Sequence, residues 1–103
     1  MKRGQVRWYK FHAPDKKRPI VILSRDSVLE YLGEVTVAPI TRTIRDIPSE
    51  VLLSKEDGLV TDCAINFDHI QTVSKAKLGA LITTLSASKL NEVRRAILFS
   101  LGL

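Results

Sequence analysis

The sequence predicts a mainly β fold, a small barrel of short strands with short helices and a C-terminal helix. Three observations carry this. Short runs of strand-forming residues recur from Gln5 to Leu85, separated by closely spaced turn signals. From Ser86 the hydrophobic period changes, and Leu90, Val93, Ile97 and Leu101 fall at helical spacing on one face. A chain of 103 residues is long enough for one domain, spanning 1–103, and too short for two.

The elements follow in order. Gln5 to Phe11 is rich in strand formers: Val6, Trp8, Tyr9 and Phe11. His12 to Arg18 is a polar loop. Pro19-Ile20-Val21-Ile22-Leu23 is a continuous apolar run, the pattern of a strand buried on both faces. Proline is allowed at its first position, where no N–H is needed. Ser24 to Tyr31 can hold a short helix, capped by Ser24 or Asp26 and ended by Gly33. Glu34 to Thr41 alternates as a strand, and Pro39 inside it implies an edge, a bulge or a bend. Thr41 to Ile47 is an exposed loop, Ser49 to Leu53 a strand, and Lys55 to Gly58 a turn. Asp62 to Phe67, Ile70 to Val73 and Leu78 to Leu85 complete the strands. The last helix takes Ser86 as N-cap and Gly102 as its C-terminal glycine, a length of about 22 Å.

Composition narrows the function. Apolar residues at 45% and charged residues at 26% are ordinary globular usage and argue against disorder. The longest uncharged stretch, Leu78 to Ser88, is far short of the roughly 20 residues a membrane helix needs. Met1 to Phe11 lacks the apolar core of a secretory signal. One cysteine, Cys63, allows no internal disulfide. A reduced, cytoplasmic protein is expected. Sixteen basic residues against eleven acidic ones give a net charge of +5. The excess gathers early, at Lys2, Arg3, Arg7, Lys10, Lys16, Lys17 and Arg18, against the single acid Asp15. That points to a polyanionic partner, nucleic acid or an acidic protein.

No metal or cofactor is expected. Cys63, His12 and His69 have no recurrent ligand spacing, and no glycine-rich phosphate loop is present. Cys63 with His69 lacks any nucleophile signature, and a buried small hydrophobe is the simpler reading of Cys63. Two histidines can in principle form an acid–base pair, but nothing in the spacing of His12 and His69 brings them together. Arg18 is more telling. It stands beside Pro19, which fixes the backbone, and a guanidinium there can hold a phosphate with two parallel hydrogen bonds. Thr41 ends its strand beside Arg42, where its hydroxyl can donate to a phosphate oxygen while Arg42 and Arg45 add field.

Several segments then match a known pattern. Lys2-Arg3-Gly4-Gln5-Val6 is similar to an "RG-x-V/I" opening, and Arg18-Pro19-Ile20-Val21-Ile22-Leu23 to an "RPV-x-V-I/L" strand. Val37-Ala38-Pro39-Ile40-Thr41 is similar to a "V-x-P/A-I/L-T" strand end. Asp62-Cys63-Ala64-Ile65-Asn66 and His69-Ile70-Gln71-Thr72-Val73 are similar to the two strands that follow, and Leu98 to Leu103 to the terminal helix. Taken in order, these cover essentially the whole chain, and the sequence resembles the MazF/PemK-type toxins of bacterial type II toxin–antitoxin systems.

The resemblance implies an SH3-like antiparallel barrel, shared with the CcdB group, and a homodimer. It implies metal-independent, sequence-specific cleavage of single-stranded RNA, whether mRNA, tRNA or rRNA, through a 2′,3′-cyclic phosphate. Arg18 and Thr41 match the family's catalytic pair. The matching RNA-binding positions are Lys16 and Lys17 in the first loop, Arg42, Thr43, Arg45 and Ile47 in the next, and Cys63, Asn66 and His69. Phe67 and His69 are candidates for base stacking, with core the favoured reading of Phe67. An acidic MazE-like antitoxin is the implied protein partner. Three departures bear on which sequence is cut: Gln5 stands where the family often has an acid, Cys63 replaces a common serine, and the loop 12–17 is short. Two other readings compete. A CcdB-like gyrase poison needs a tryptophan near the C-terminus, whereas the only tryptophan here is Trp8. A non-catalytic RNA-binding module would tolerate loss of Arg18 and Thr41 with little more than weaker binding.

Overall fold

A computed structural model describes residues 1–10 and 17–103. The expectations that fall on Phe11, His12 and Lys16 lie outside the described residues. The described residues form seven strands: β1 (Gln5–Lys10), β2 (Lys17–Ile22), β3 (Glu34–Thr41), β4 (Glu50–Leu53), β5 (Cys63–Asn66), β6 (Gln71–Ser74) and β7 (Leu78–Thr84). Two helices accompany them, α1 (Asp26–Leu29) and α2 (Ala87–Leu101). The expected mainly β architecture with a C-terminal helix is what the chain adopts.

The sheet runs in the order β4-β5-β3-β2-β1-β7, with β6 also paired to β3, and each pairing is antiparallel. β3 organises it. One edge of β3 holds β2. The other holds β6 along Glu34–Val37 and then β5 at Ile40 and Thr41. The change of partner falls at Ala38–Pro39, where proline has no N–H to give to a ladder. Pro39 therefore marks a switch inside a central strand, not an edge.

Cores form on both faces of the central strands. On one face Val21, Ala38, Ile40, Ile65 and Phe67 pack with Val93 and Ala96 of α2. On the other, Ile20, Ile22, Val35 and Val37 pack with Leu29 of α1. This is why Ile20-Val21-Ile22 is unbroken in its hydrophobicity: all three side chains are fully buried. Phe67 is a core residue.

The helix ends differ from expectation in one place. Ser86 caps α2 as expected, its Oγ accepting from Lys89 N–H at 3.1 Å, and Gly102 ends it in the left-handed region. At α1 the N-cap is Arg25, with no side-chain cap. Ser24 Oγ accepts from Thr36 N–H instead, and Asp26 accepts from Arg3 N–H. Contacts to distant strands thus take the side chains that local chemistry would use as caps. The helix ends at Glu30, ahead of Gly33. Leu101, expected on the buried face of α2, is exposed along with Phe99; the helix packs through Leu90, Val93, Ala96 and Ile97.

After β4, Lys55–Asp57 forms a tight 3-10 turn held by a reciprocal cap between Ser54 and Asp57. Gly58 closes it at φ +99°, and a Cβ there would lie 2.4 Å from Thr83 Oγ1 of β7. The close approach delivers Leu59, Val60 and Thr61 to the end of the barrel.

Candidate functional site

At that end lies a cleft of about 590 Å³. β1 gives it Trp8, and the start of β2 gives Lys17, Arg18 and Pro19. The end of β3 and the loop beyond give Ile40, Thr41, Arg42 and Thr43. Leu59, Val60, Thr61, Cys63 and Ile82 complete the lining. Among the described residues, the charged groups on this lining are all cations.

Strand pairing explains the juxtaposition. β2 and β3 pair with Ile20 opposite Pro39 and Val21 opposite Ala38. Continuing that register by two residues sets Arg18 across from Thr41, and both border the cleft. Lys17 and Arg18, expected in the loop, are the first residues of β2, opposite Lys10 and Tyr9 of β1. The facing Lys10 and Lys17 concentrate positive charge beside Arg18. Thr41 Oγ1 accepts from Thr43 N–H at 3.1 Å. That bond orients the hydroxyl and leaves its own hydrogen to donate.

The loop after Thr41 is held from below. Glu50 Oε1 accepts from the N–H groups of Arg45 and Asp46, both at 3.0 Å. Asp46 adopts φ +53°, an uncommon conformation for a non-glycine residue. The other oxygen, Oε2, is buried with no hydrogen-bond partner among the described residues. One carboxylate thus pins the segment that carries Arg42 and Thr43.

Cys63 is both buried and part of the lining. Burial pushes its thiol above the ordinary value of 9.0, Asp62 and Asp57 push in the same direction, and Arg42 opposes them. The thiol therefore meets the cleft as a neutral group.

Arg45, Ile47, Asn66 and His69 stand apart from this lining. Arg45 and Ile47 are exposed on the pinned loop, and His69 is exposed in the 3-10 turn Phe67–His69. Asn66 is buried and its side-chain oxygen accepts from Asp68 N–H at 2.9 Å, capping that turn. Sequence reasoning missed Trp8, Pro19, Ile40, Leu59, Val60, Thr61 and Ile82 as lining residues. The alternation Val6, Trp8 in β1 offered a signal for one of them, since it puts the tryptophan on a definite face.

Comparison with known proteins agrees with the fold and the motifs. A family model described as PemK-like, MazF-like toxin of type II toxin–antitoxin system matches residues 2–101. The probable endoribonuclease MazF2 of Mycobacterium tuberculosis is 36% identical over 103 residues, covering 99% of each chain. Endoribonuclease MazF3 of the same organism is 40% identical over 83 residues, covering 81% of each. Among solved structures, the M. tuberculosis toxin MazF-mt6 superimposes with a TM-score of 0.89 at 33% identity, covering 96% of this chain and 97% of that one. A mycobacterial endoribonuclease solved with its cognate antitoxin gives a TM-score of 0.90 at 27% identity, covering 100% of this chain and 96% of that one. With nearly its whole length matched, the chain belongs to the PemK-like, MazF-like toxins of type II toxin–antitoxin systems.

Proposed function

We propose that this toxin is an endoribonuclease that cuts single-stranded RNA at a short recognition sequence, without a metal, and leaves a 2′,3′-cyclic phosphate and a 5′-hydroxyl. The observation that carries the reading is that Arg18 and Thr41 line one cleft whose described charged groups are all cations. In this reaction the substrate supplies its own nucleophile. The 2′-hydroxyl gives up its proton to water and its oxygen bonds to phosphorus. The P–O5′ bond breaks, and the departing 5′-oxygen takes a proton from water. Negative charge grows on the two non-bridging oxygens as the phosphorane forms. Arg18 neutralises that charge, and Thr41 donates a hydrogen bond to one of the same oxygens. An arginine keeps its proton in proteins, so Arg18 acts as an electrostatic group and not as a base.

The partners follow from the same surface. The cleft takes single-stranded RNA, and an acidic, extended segment of a cognate antitoxin competes for it. The toxin works in the cytoplasm as a homodimer. Cleavage of RNA in EDTA, with the product ends mapped, tests the reading. The expected products carry 2′,3′-cyclic phosphate and 5′-hydroxyl ends at one recurring sequence. Products with 5′-phosphate ends, or cleavage that stops in EDTA, would contradict it.

A further inference from the structure

We infer that Trp8 is a base-stacking residue, holding a nucleobase next to the phosphate that Arg18 and Thr41 engage. The inference rests on the RNA-cleaving reading above. Trp8 borders the cleft and is 38% exposed, in a strand whose neighbours Val6 and Tyr9 are buried. Its aim has a local cause. Val6 and Trp8 share one face of β1 and Tyr9 takes the other. Across from Trp8, β7 carries the extra residue, because Gly79 and Ala80 lie between the partners Leu78 and Leu81 where β1 has Trp8 alone. The bulge is thus on β7, while the β1–β2 ladder stays regular through Trp8 opposite Pro19. Gly79 fits the irregularity: a Cβ there would lie 3.3 Å from both Trp8 Cβ and the Trp8 carbonyl oxygen. β7 therefore closes tightly behind Trp8, while the indole is turned to the cleft.

The chemistry around it selects the occupant. Trp8 stands opposite Pro19 in the β1–β2 ladder, and Ile82 and Val60 add apolar surface to the same cleft. Val60 is 82% exposed, so the rim is apolar and open. Lys17, Arg18 and Arg42 border the same space. A flat apolar face beside a cluster of cations matches a ligand that joins a flat ring to an anion. A nucleotide in a single strand is such a ligand, and stacking on tryptophan tolerates any base because each has a π face. Trp8 thus adds affinity and fixes the position of the nucleotide, and base identity is read elsewhere.

The test uses the fact that Trp8 is the sole tryptophan of the chain. The probe is an RNA dodecamer carrying the mapped cut sequence, with 2′-deoxyribose where the attacking hydroxyl would be, so that it binds and is not cut. Binding should quench the tryptophan emission. Replacing one particular base beside the cut by an abasic site should remove the quenching while binding persists. Trp8→Phe should bind within about threefold of wild type, and Trp8→Leu, apolar but without a π face, should bind about tenfold to a hundredfold more weakly. Circular dichroism and thermal melting confirm that both variants fold. Equal binding by Trp8→Leu and wild type would overturn the proposal. So would a Trp8→Leu variant that keeps its RNA affinity and loses affinity only for an acidic antitoxin segment. Wild type that cuts RNA normally but shows no quenching refutes the stacking alone, and wild type that cuts no RNA removes the underlying reading as well.

Discussion

Cys63 and Thr41 meet the cleft with different chemistry. The Thr41 hydroxyl is oriented by Thr43 N–H and keeps a hydrogen to donate. The Cys63 thiol is held neutral by burial and by Asp62 and Asp57. This has a consequence for stability. Below pH 9.0, the ordinary thiol value, Cys63 is neutral in both folded and unfolded chains and stability is independent of it. Above that pH the unfolded chain ionises first, so stability falls as pH rises toward the higher folded value. Urea unfolding from pH 7 to pH 10.5 should show a steeper alkaline loss for wild type than for Cys63→Ala, and parallel curves would contradict the account. Arg18 was legible in the sequence because Pro19 fixes the backbone beside it, and Thr41 because it ends a strand next to Arg42. For Trp8 the sequence shows only its face, through alternation with Val6; the open cleft in front of it is built by pairings with strands distant in the chain.

Between β3 and β4, one carboxylate organises the loop. Glu50 receives two backbone N–H groups, and the loop in turn carries Arg42 and Thr43 at the cleft. Hydrogen bonds to a charged acceptor are among the stronger ones in proteins. Glu50→Ala should lower stability by about 1–3 kcal/mol and raise KM for RNA more than it lowers kcat. Glu50→Gln, which retains a carbonyl acceptor, should recover much of the loss. A kcat decrease with unchanged KM would show that the loop does not position substrate. The element boundaries reveal which local signals survive folding. Ser86 and Gly102 end α2 as their chemistry suggests, because nothing else claims them. Ser24 and Asp26 do not cap α1, because Thr36 and Arg3 N–H groups claim their oxygens. Pro39 was recognisable as an irregularity, but only the pairing of β3 with both β6 and β5 shows that it marks a change of partner.

Across the whole molecule, charge and topology converge on one rim. Lys17 and Arg18 are far from Arg42 in the chain, and the antiparallel order β5-β3-β2-β1 brings the three to a single cleft. Three of the chain's sixteen basic residues thus border one cleft, with no acidic side chain among its described lining. With Lys17, Arg18 and Arg42 each meeting a phosphate, log affinity for single-stranded RNA should fall with log salt at a slope of about −2. Arg42→Ala should flatten that slope by about 0.7, and an unchanged slope would place Arg42 off the phosphate path. The fold class was readable because seven short strands and one helix have different hydrophobic periods. The cleft itself was not, because it is built by strand pairings that sequence periodicity does not specify. The roles of Arg18 and Thr41 are tested by the single-turnover rate of RNA cleavage by Arg18→Ala, Arg18→Lys and Thr41→Ser, measured at saturating enzyme with folding verified. Charge stabilisation by the Arg18 guanidinium predicts losses of about 10²–10³-fold in Arg18→Ala, a substantial loss in Arg18→Lys, and near wild-type rates in Thr41→Ser, which keeps the hydroxyl. Wild-type rates in Arg18→Ala would contradict it.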